Sequence, residues 1–448
     1  MTTLTDANNT GRGNGKRSKR VLILASKLGY QTRGFVEAAE KLGVEVRFGT
    51  DRCHQLENPW GDDALALHFE NPQEAAHEIV TAFSGGVASE KTIDAVIALG
   101  DRPTVTASYA AEALGITGNS PVAAEICRSK LRQRETLRAA GVRVPDFFSF
   151  VASDRLADVV ARAKFPCVVK PFSLSASQGV IRANNADEFS EVVRRIRLLM
   201  ESPEIQVLRE PGTDRLLVES YVAGREVAVE GLIAGGRLRV LAIFDKPDPL
   251  EGPYFEETIY VTPSRLSAEM QKSIEGCAGN AIRALGLTTG PVHAEFRVNE
   301  SGPWVLEIAP RPIGGLCSRA LRFGADGISL EELLLRDALG MPGSDLERES
   351  QASGVMMIPV PRSGIFDGAE GIEAAESAPG VTEIQITARL HDYVAAWPEG
   401  SSYLGFIFAR VDSAAEVEAA LREAHRRMNF RLSPRLPVEH PATGKIAT

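Results

Sequence analysis

The 448-residue chain is poor in cysteine, and its five thiols, Cys53, Cys127, Cys167, Cys277 and Cys317, are scattered with no CxxC pair. That excludes the common zinc and disulfide frameworks and fits a reduced, cytoplasmic setting. No apolar run approaches the roughly 18 residues of a membrane span. There is no excess of basic residues. Net charge is −9, which argues against a general nucleic-acid surface. No GxxxxGK[ST] stretch occurs, so a Walker-type phosphate loop is excluded. Six histidines, His54, His68, His77, His391, His425 and His440, show no ligand spacing. Residues 1–19 hold Thr, Asn, Gly and basic residues without an apolar centre. They are expected to be a flexible tail, not a signal peptide.

What is present is the composition of a soluble globular protein, 44% apolar and 24% charged. Its length suits about two or three domains. Strand-like runs at Arg20–Ser26, Val44–Gly49 and Ile93–Gly100 alternate with helical patterns at 32–42, 72–84 and 103–114. This β-α-β order predicts an α/β domain with a small parallel sheet, placed at about 20–118. Residues 121–142 read as one or two helices with Lys130 near the middle. A second alternation follows: helix 154–164, strand Cys167–Phe172, a serine-rich loop, strand 179–183 and helix 186–202. Leu216–Val222 and Glu226–Phe244 are strand-rich, with Gly235-Gly236 as a hairpin turn. Ala268–Leu285 is amphipathic and helical. After about 353 come a strand, a helix, several strands and a helix at 414–427.

The chemistry concentrates in His293-Ala-Glu295 and Glu307-Ile-Ala-Pro-Arg311, two apolar runs joined by a Ser301-Gly302-Pro303 turn. Such a hairpin sets Glu295 and Glu307 side by side on one face. Like charges that close need a proton or a cation between them, and oxygen ligands favour Mg²⁺. Upstream stand Lys130 and Lys170, the latter closing a strand as a fixed positive charge for phosphate oxygens. The loop Phe172-Ser173-Leu174-Ser175-Ala176-Ser177-Gln178-Gly179 can close backbone amides over an anion. The strand around Glu219, Tyr221 and Val222 breaks at Gly224, leaving strand-end groups for an adenine edge and Glu226 for ribose hydroxyls. Taken singly, each of these also suits a plain structural role, as a solvated lysine, a core tyrosine or a surface hairpin.

Together, in this order and spacing, the five elements resemble the ATP-grasp superfamily over about 20–340. The resemblance implies an ATP-grasp fold: an N-terminal parallel domain, a two-lobed core at 119–340 whose antiparallel sheets clasp ATP (lid lobe about 145–222), and an α+β C-terminal subdomain at 341–448. It implies ATP and Mg²⁺ (or Mn²⁺) as cofactors. Lys130, Lys170, loop positions Leu174, Ser177, Gln178 and Gly179, and Glu219, Tyr221, Val222 and Glu226 would bind the nucleotide. Glu295 and Glu307 would bind metal. Arg311, Lys246 and His293 are the candidate catalytic set, with Arg311 and Lys246 neutralising the transferred phosphoryl group and His293 touching substrate. One position departs from the superfamily pattern: Ala309 stands where many members carry a further metal ligand, Asn.

Phe244–Pro263, with Lys246, Glu256, Glu257 and Tyr260, resembles the segment of L-amino acid ligases that meets phosphates and amino acid. Gly354–Gly364 and Gly405-Phe-Ile-Phe-Ala resemble their C-terminal region, and Arg362 there is a candidate substrate contact. The implied activity is an ATP-dependent carboxylate–amine ligase acting on small molecules through an acyl phosphate, without nucleic acid or membrane partners, in a chain that resembles frequent homodimers. The alternatives are a biotin-carboxylase-like or purine-pathway ligase, and a non-catalytic nucleotide-binding module.

Overall fold

The computed structural model describes residues 18–26, 29–51, 64–83 and 92–435, and the backbone of 438–439 and 446–447. Nearly all of the expected tail at 1–19, together with Cys53, His54 and His440, lies outside these residues. A four-stranded parallel sheet opens the chain, in the order Ala64–Ala66, Glu45–Thr50, Arg20–Ala25, Ala95–Leu99. Arg20–Ala25 is buried along its whole length. An interior strand covered on both faces has no polar side to show, which explains its unbroken apolar run.

The second sheet is antiparallel, in the order Phe147–Val151, Arg215–Ser220, Cys167–Pro171, Ile181–Ala183. Helix Ala186–Met200 covers it, burying Phe189, Val193 and Ile196 against Phe150 and Val169. This unit falls within the span expected for the lid lobe and is called the lid below. Between 121 and 142 the chain makes two helices, Pro121–Arg128 and Lys130–Ala139, broken at Ser129. Ser129 adopts extended backbone and its hydroxyl caps the second helix. Lys130 therefore starts a helix instead of lying within one.

The third sheet has eight antiparallel strands. Its order is Gly302–Ala309, Thr289–Asn299, Arg225–Ala234, Arg237–Lys246, Ile259–Thr262, Ala352–Ile358, Gly405–Val411, Val381–Ile386. Residues on either side of the boundary expected at 340/341 thus share one sheet, through pairs such as Ile259↔Met356. Helix Ala268–Leu285 packs on one face with Ile274, Ala278, Ile282 and Leu285 buried, the spacing of one helical stripe. Burying each Ile or Leu there contributes about 1.5–3 kcal/mol. On the other face, helix Leu330–Ala338 sits in a core shared with the N-terminal sheet, joining Ile23 and Phe35 to Leu232 and Phe244. That common core fixes the N-terminal strand ends against the carboxylate hairpin. No helix among the described residues is long and apolar enough to cross a membrane.

Candidate active site

The hairpin forms as the turn signal predicts. Asn299 pairs with Gly302, and the register brings Glu295 directly opposite Glu307 and His293 opposite Ala309. Cross-strand partners have Cβ atoms about 4.5–5.5 Å apart on one face of a sheet. A β-bulge between Glu295 and Phe296 interrupts the ladder beside the pair. The two carboxylates nevertheless meet different surroundings.

Glu307 lines a cavity of about 40 Å³ with Asp101, Arg128, Lys130, Gln133, Lys170 and Ser175. Each wall comes from a different element: the central sheet, the N-terminal strand end, the helix pair, the lid sheet and the lid loop. Burial works against the Lys130 ammonium and lowers its pKa; Glu307 pulls the other way and Arg128 adds to the lowering. Lys130 donates to the carbonyl of Leu174, pinning the lid loop. Lys170 binds Glu219 at 2.6 Å, and Arg134 holds the other Glu219 oxygen at 2.6 Å. Burial would raise Glu219, but the two cations win and hold it down at about 2.

Glu295 belongs to a second cluster. Lys246, 7% exposed, donates to Glu226 at 2.8 Å, to Glu295 at 3.1 Å and to Glu257. Oxygens of these three carboxylates lie within 4.8 Å of one another. Burial opposes the charge on Lys246, yet the surrounding carboxylates raise its pKa well above the usual lysine value. Burial likewise opposes ionised Glu295, but Lys246 and then His293 hold it well below the usual carboxylate range. For Glu257 burial prevails over Lys246, and its carboxyl rises to about 7.

Several candidates sit differently from their expected roles. His293 is 5% exposed with both ring nitrogens engaged, Nδ1 by Glu230 and Nε2 by Glu295 at 3.4 Å, so it faces carboxylates of the protein instead of a substrate. Burial disfavours the imidazolium, but Glu230 raises it to about 9. Lys246 is caged outside the cavity, its charge balanced by the protein. Glu226 has both oxygens taken, one by Lys246 and one by Arg297 at 2.8 Å, and so is committed to the cluster in place of a ribose. In the serine loop it is Leu174 and Ser175 that line the cavity. Gln178 and Gly179 turn away, donating to the carbonyls of Glu399 at 2.7 Å and Pro398 at 2.8 Å. Arg362 donates to the carbonyl of Leu432, within the C-terminal region.

Tyr221 lies just past the strand end, with the Arg182 guanidinium 4.0 Å above its ring. Its amide donates to Pro166, and the carbonyls of Ala223 and Gly224 accept from Asn299 and Arg297. Val222 is the member of this turn whose backbone makes no hydrogen bond within the described residues. Arg311 is met by Asp101, Nε to Oδ1 at 2.8 Å and Nη2 to Oδ2 at 3.4 Å. Burial disfavours the guanidinium, yet Asp101 above all keeps it charged.

Asp101, Glu230 and Arg134 are residues the sequence reading passed over. Asp101 had a signal: it follows Gly100 at the carboxyl end of a parallel strand, where open α/β sheets place ligands. Glu230 had another, as an acid inside the buried run Val227-Ala-Val-Glu-Gly-Leu-Ile. Arg134, in a charge-rich helix, had none.

The oxygen-only donors of Glu226, Glu257 and Glu295 converge closely enough to suit Mg²⁺, and Glu307, on the cavity side, is the ladder partner of Glu295. Ala309, opposite His293 and 4% exposed, adds no donor.

Comparison with known proteins agrees with this architecture. Residues 163–320 match the ATP-grasp domain, 36–118 the ATP-grasp N-terminal domain, and 356–433 the L-amino acid ligase C-terminal domain 2. The crystal structure of L-amino acid ligase from Bacillus licheniformis superposes with a TM-score of 0.77 at 28% identity, covering 93% of this chain and 100% of that one. Uncharacterized protein y4rH of Sinorhizobium fredii is 27% identical over 71% of this chain and 64% of its own length. Alanine–anticapsin ligase of Bacillus subtilis is 25% identical over 61% of this chain and 60% of its own. The chain thus spans somewhat over three fifths of the curated relatives it matches. Two ATP-grasp domain matches, an L-amino acid ligase C-terminal domain and a structural match over 93% of the chain lead to one statement: the chain belongs to the ATP-grasp superfamily and carries an L-amino acid ligase C-terminal domain.

Proposed function

We propose that the chain is an ATP-dependent carboxylate–amine ligase. It transfers the γ-phosphoryl group of ATP to a carboxylate, that of an L-amino acid, and an amine displaces phosphate from the acyl phosphate, giving an amide or dipeptide. The observation that carries this reading is the cavity where Lys130, Lys170 and Arg128 converge with Glu307. Four cations, Arg128, Lys130, Arg134 and Lys170, line it against two carboxylates, Asp101 and Glu307, and this excess of positive charge suits a polyphosphate chain with its metal. The L-amino acid ligase C-terminal domain at 356–433 favours an amino acid over bicarbonate or a nucleotide-pathway amine.

Mg²⁺ bound by Glu295 and Glu307 would neutralise charge on the β- and γ-phosphates and orient them. The chain's own residues do the rest. Lys170 and Lys130 hold phosphate oxygens as point charges. The backbone of Val222 is free to meet a base edge. Asp101 fixes the fork of Arg311, so that its remaining donors face the transferred group or the substrate carboxylate. The lid excludes water, which would hydrolyse an acyl phosphate. A cavity of about 40 Å³ is far below the roughly 300–1,000 Å³ of ligand sites, so nucleotide entry requires the lid sheet to move off the central sheet. The four described cysteines are free, in keeping with a cytoplasmic enzyme.

The test is ADP and phosphate release from ATP and Mg²⁺ with a panel of amino acids, with products identified by mass spectrometry. Amino-acid pairs should stimulate release and yield dipeptides. Absence of stimulation by every carboxylate–amine pair refutes the reading. Glu307→Ala should stay folded and lose at least about 100-fold in turnover, the scale of removing one group that stabilises transition-state charge; near-normal turnover would refute the metal assignment.

A further inference from the structure

Glu230 is 1% exposed and so is shielded from solvent. It lies on strand Arg225–Ala234 and is the register partner of His293 on one side and of Ala242 on the other. A β-bulge between Val240 and Ala242 distorts the ladder at this point. Bulges re-aim side chains and cluster beside active sites. One oxygen of Glu230 binds Nδ1 of His293, whose Nε2 faces Glu295. The other accepts the amide of Ile313 at 3.1 Å. Ile313 is two residues beyond Arg311, and its carbonyl accepts from Gln31 of the N-terminal domain at 3.3 Å.

A buried carboxylate is costly unless each oxygen is satisfied. Here one is satisfied by the ring behind Glu295 and the other by the turn that carries Arg311. The group therefore lies between the two halves of the chemistry. We infer that Glu230 is a positioning residue: it holds His293 behind Glu295 and the Ile313 amide of the Arg311 turn, setting the spacing between the metal-side carboxylate and the guanidinium. This deepens the proposed function and rests on its assignment of Glu295 as a metal ligand. The consequence is that Glu230 governs the metal-dependent part of nucleotide binding without touching the nucleotide.

The experiment is calorimetric titration of the full chain with the non-hydrolysable analogue AMP-PNP, once with MgCl₂ and once with EDTA. Glu230→Gln is nearly isosteric and retains an acceptor for Ile313, but loses the charge on His293. The expected result is an approximately tenfold or greater loss of affinity with Mg²⁺ and less than twofold with EDTA. His293→Gln should give a similar loss, and the double variant no more than the larger single one. Equal weakening in both buffers, the mark of a purely structural role, overturns the inference. Unchanged Mg²⁺-dependent affinity overturns it too, as does a wild-type protein whose affinity does not depend on Mg²⁺. Should Glu230→Gln not fold, Glu230→Asp, which keeps charge and shortens reach, is read by the same criteria. Wild-type protein that binds Mg·AMP-PNP more tightly than the EDTA form yet makes no amide refutes the ligase reading and leaves the inference standing.

Discussion

Replacing Lys246 by methionine removes the one ammonium that three carboxylates share. Methionine matches the length of the lysine stem, so the change is mostly electrostatic. Glu226 keeps Arg297 and Glu295 keeps His293, but Glu257 keeps the Tyr260 hydroxyl and no ion-pair partner among the described residues. Removing one partner of a buried ion pair costs about 3–5 kcal/mol, because an uncompensated charge stays buried. At roughly 2–4 °C per kcal/mol for a unit of 150–250 residues, melting should fall by about 6–20 °C at pH 8. The sign with pH follows from the remaining acids. Without Lys246 the carboxyl of Glu257, already raised by burial, loses the cation that opposed the rise and moves further above its unfolded value. Stability is then present at low pH, where a proton replaces the ammonium, and is lost as pH rises. The gap from wild type should therefore narrow between pH 8 and pH 5, as calorimetry or dye-monitored melting can show. Mg²⁺ should also narrow it, since a divalent ion can occupy the oxygens that lysine leaves. A loss that is the same at both pH values, or no loss, would refute the account of Lys246 as the charge balancing this cluster.

Other expectations concern neighbouring groups. Burial pushes Glu256 up to about 7 against a backbone hydrogen bond from Val360, so its contribution to stability is present below about pH 4.5 and is lost as pH rises through 7. Glu256→Gln should remove that loss and gain about 1–3 kcal/mol on wild type between pH 5 and pH 8 in urea unfolding; parallel pH curves would contradict it. Glu219, held at about 2, contributes stability above pH 4.5 that disappears as pH falls toward 2, about 3 kcal/mol in all. Glu219→Gln should flatten the acid limb by that amount, and an unchanged limb would remove Arg134 and Lys170 as the cause. Glu399 grips the lid helix through both oxygens on Arg195, but the pair is about 40% exposed and is worth about 0.2–1 kcal/mol. Glu399→Ala should speed hydrogen exchange of the loop 172–182 by about 1.5–5-fold, while exchange at wild-type rates would mean that this contact does not restrain the lid.

Local pattern made much of this molecule legible. The turn at Ser301-Gly302-Pro303 and two apolar runs sufficed to pair Glu295 with Glu307. Helix Ala268–Leu285 matches its expected limits because a capping Ser267, one apolar stripe and Gly286 all agree. The split at Ser129 was less visible, since both halves are helix-forming and only the cap separates them. What the sequence hid depends on partners far along the chain. His293 reads as a substrate contact until Glu230, 63 residues earlier, is seen across the ladder. Arg311 reads as free until Asp101 arrives from another domain. The charge on Lys246 looks available until three acids, from two strands and a loop, close on it. Register and domain docking decide these, and neither is encoded in a local period.

The eight-stranded sheet carries a consequence for how chains of this fold can be rebuilt. Ile259–Thr262 has Arg237–Lys246 on one side and Ala352–Ile358 on the other. Cutting the chain after the helix Leu330–Ala338 would strip that second neighbour and leave a fully buried strand as a naked apolar edge, a template for aggregation. The region after 340 is thus less an appendage than the far half of the surface on which the chemistry rests. Exchanging it between relatives should succeed only where the graft carries its own edge complement, with Ala352–Ile358 kept in register against Ile259–Thr262.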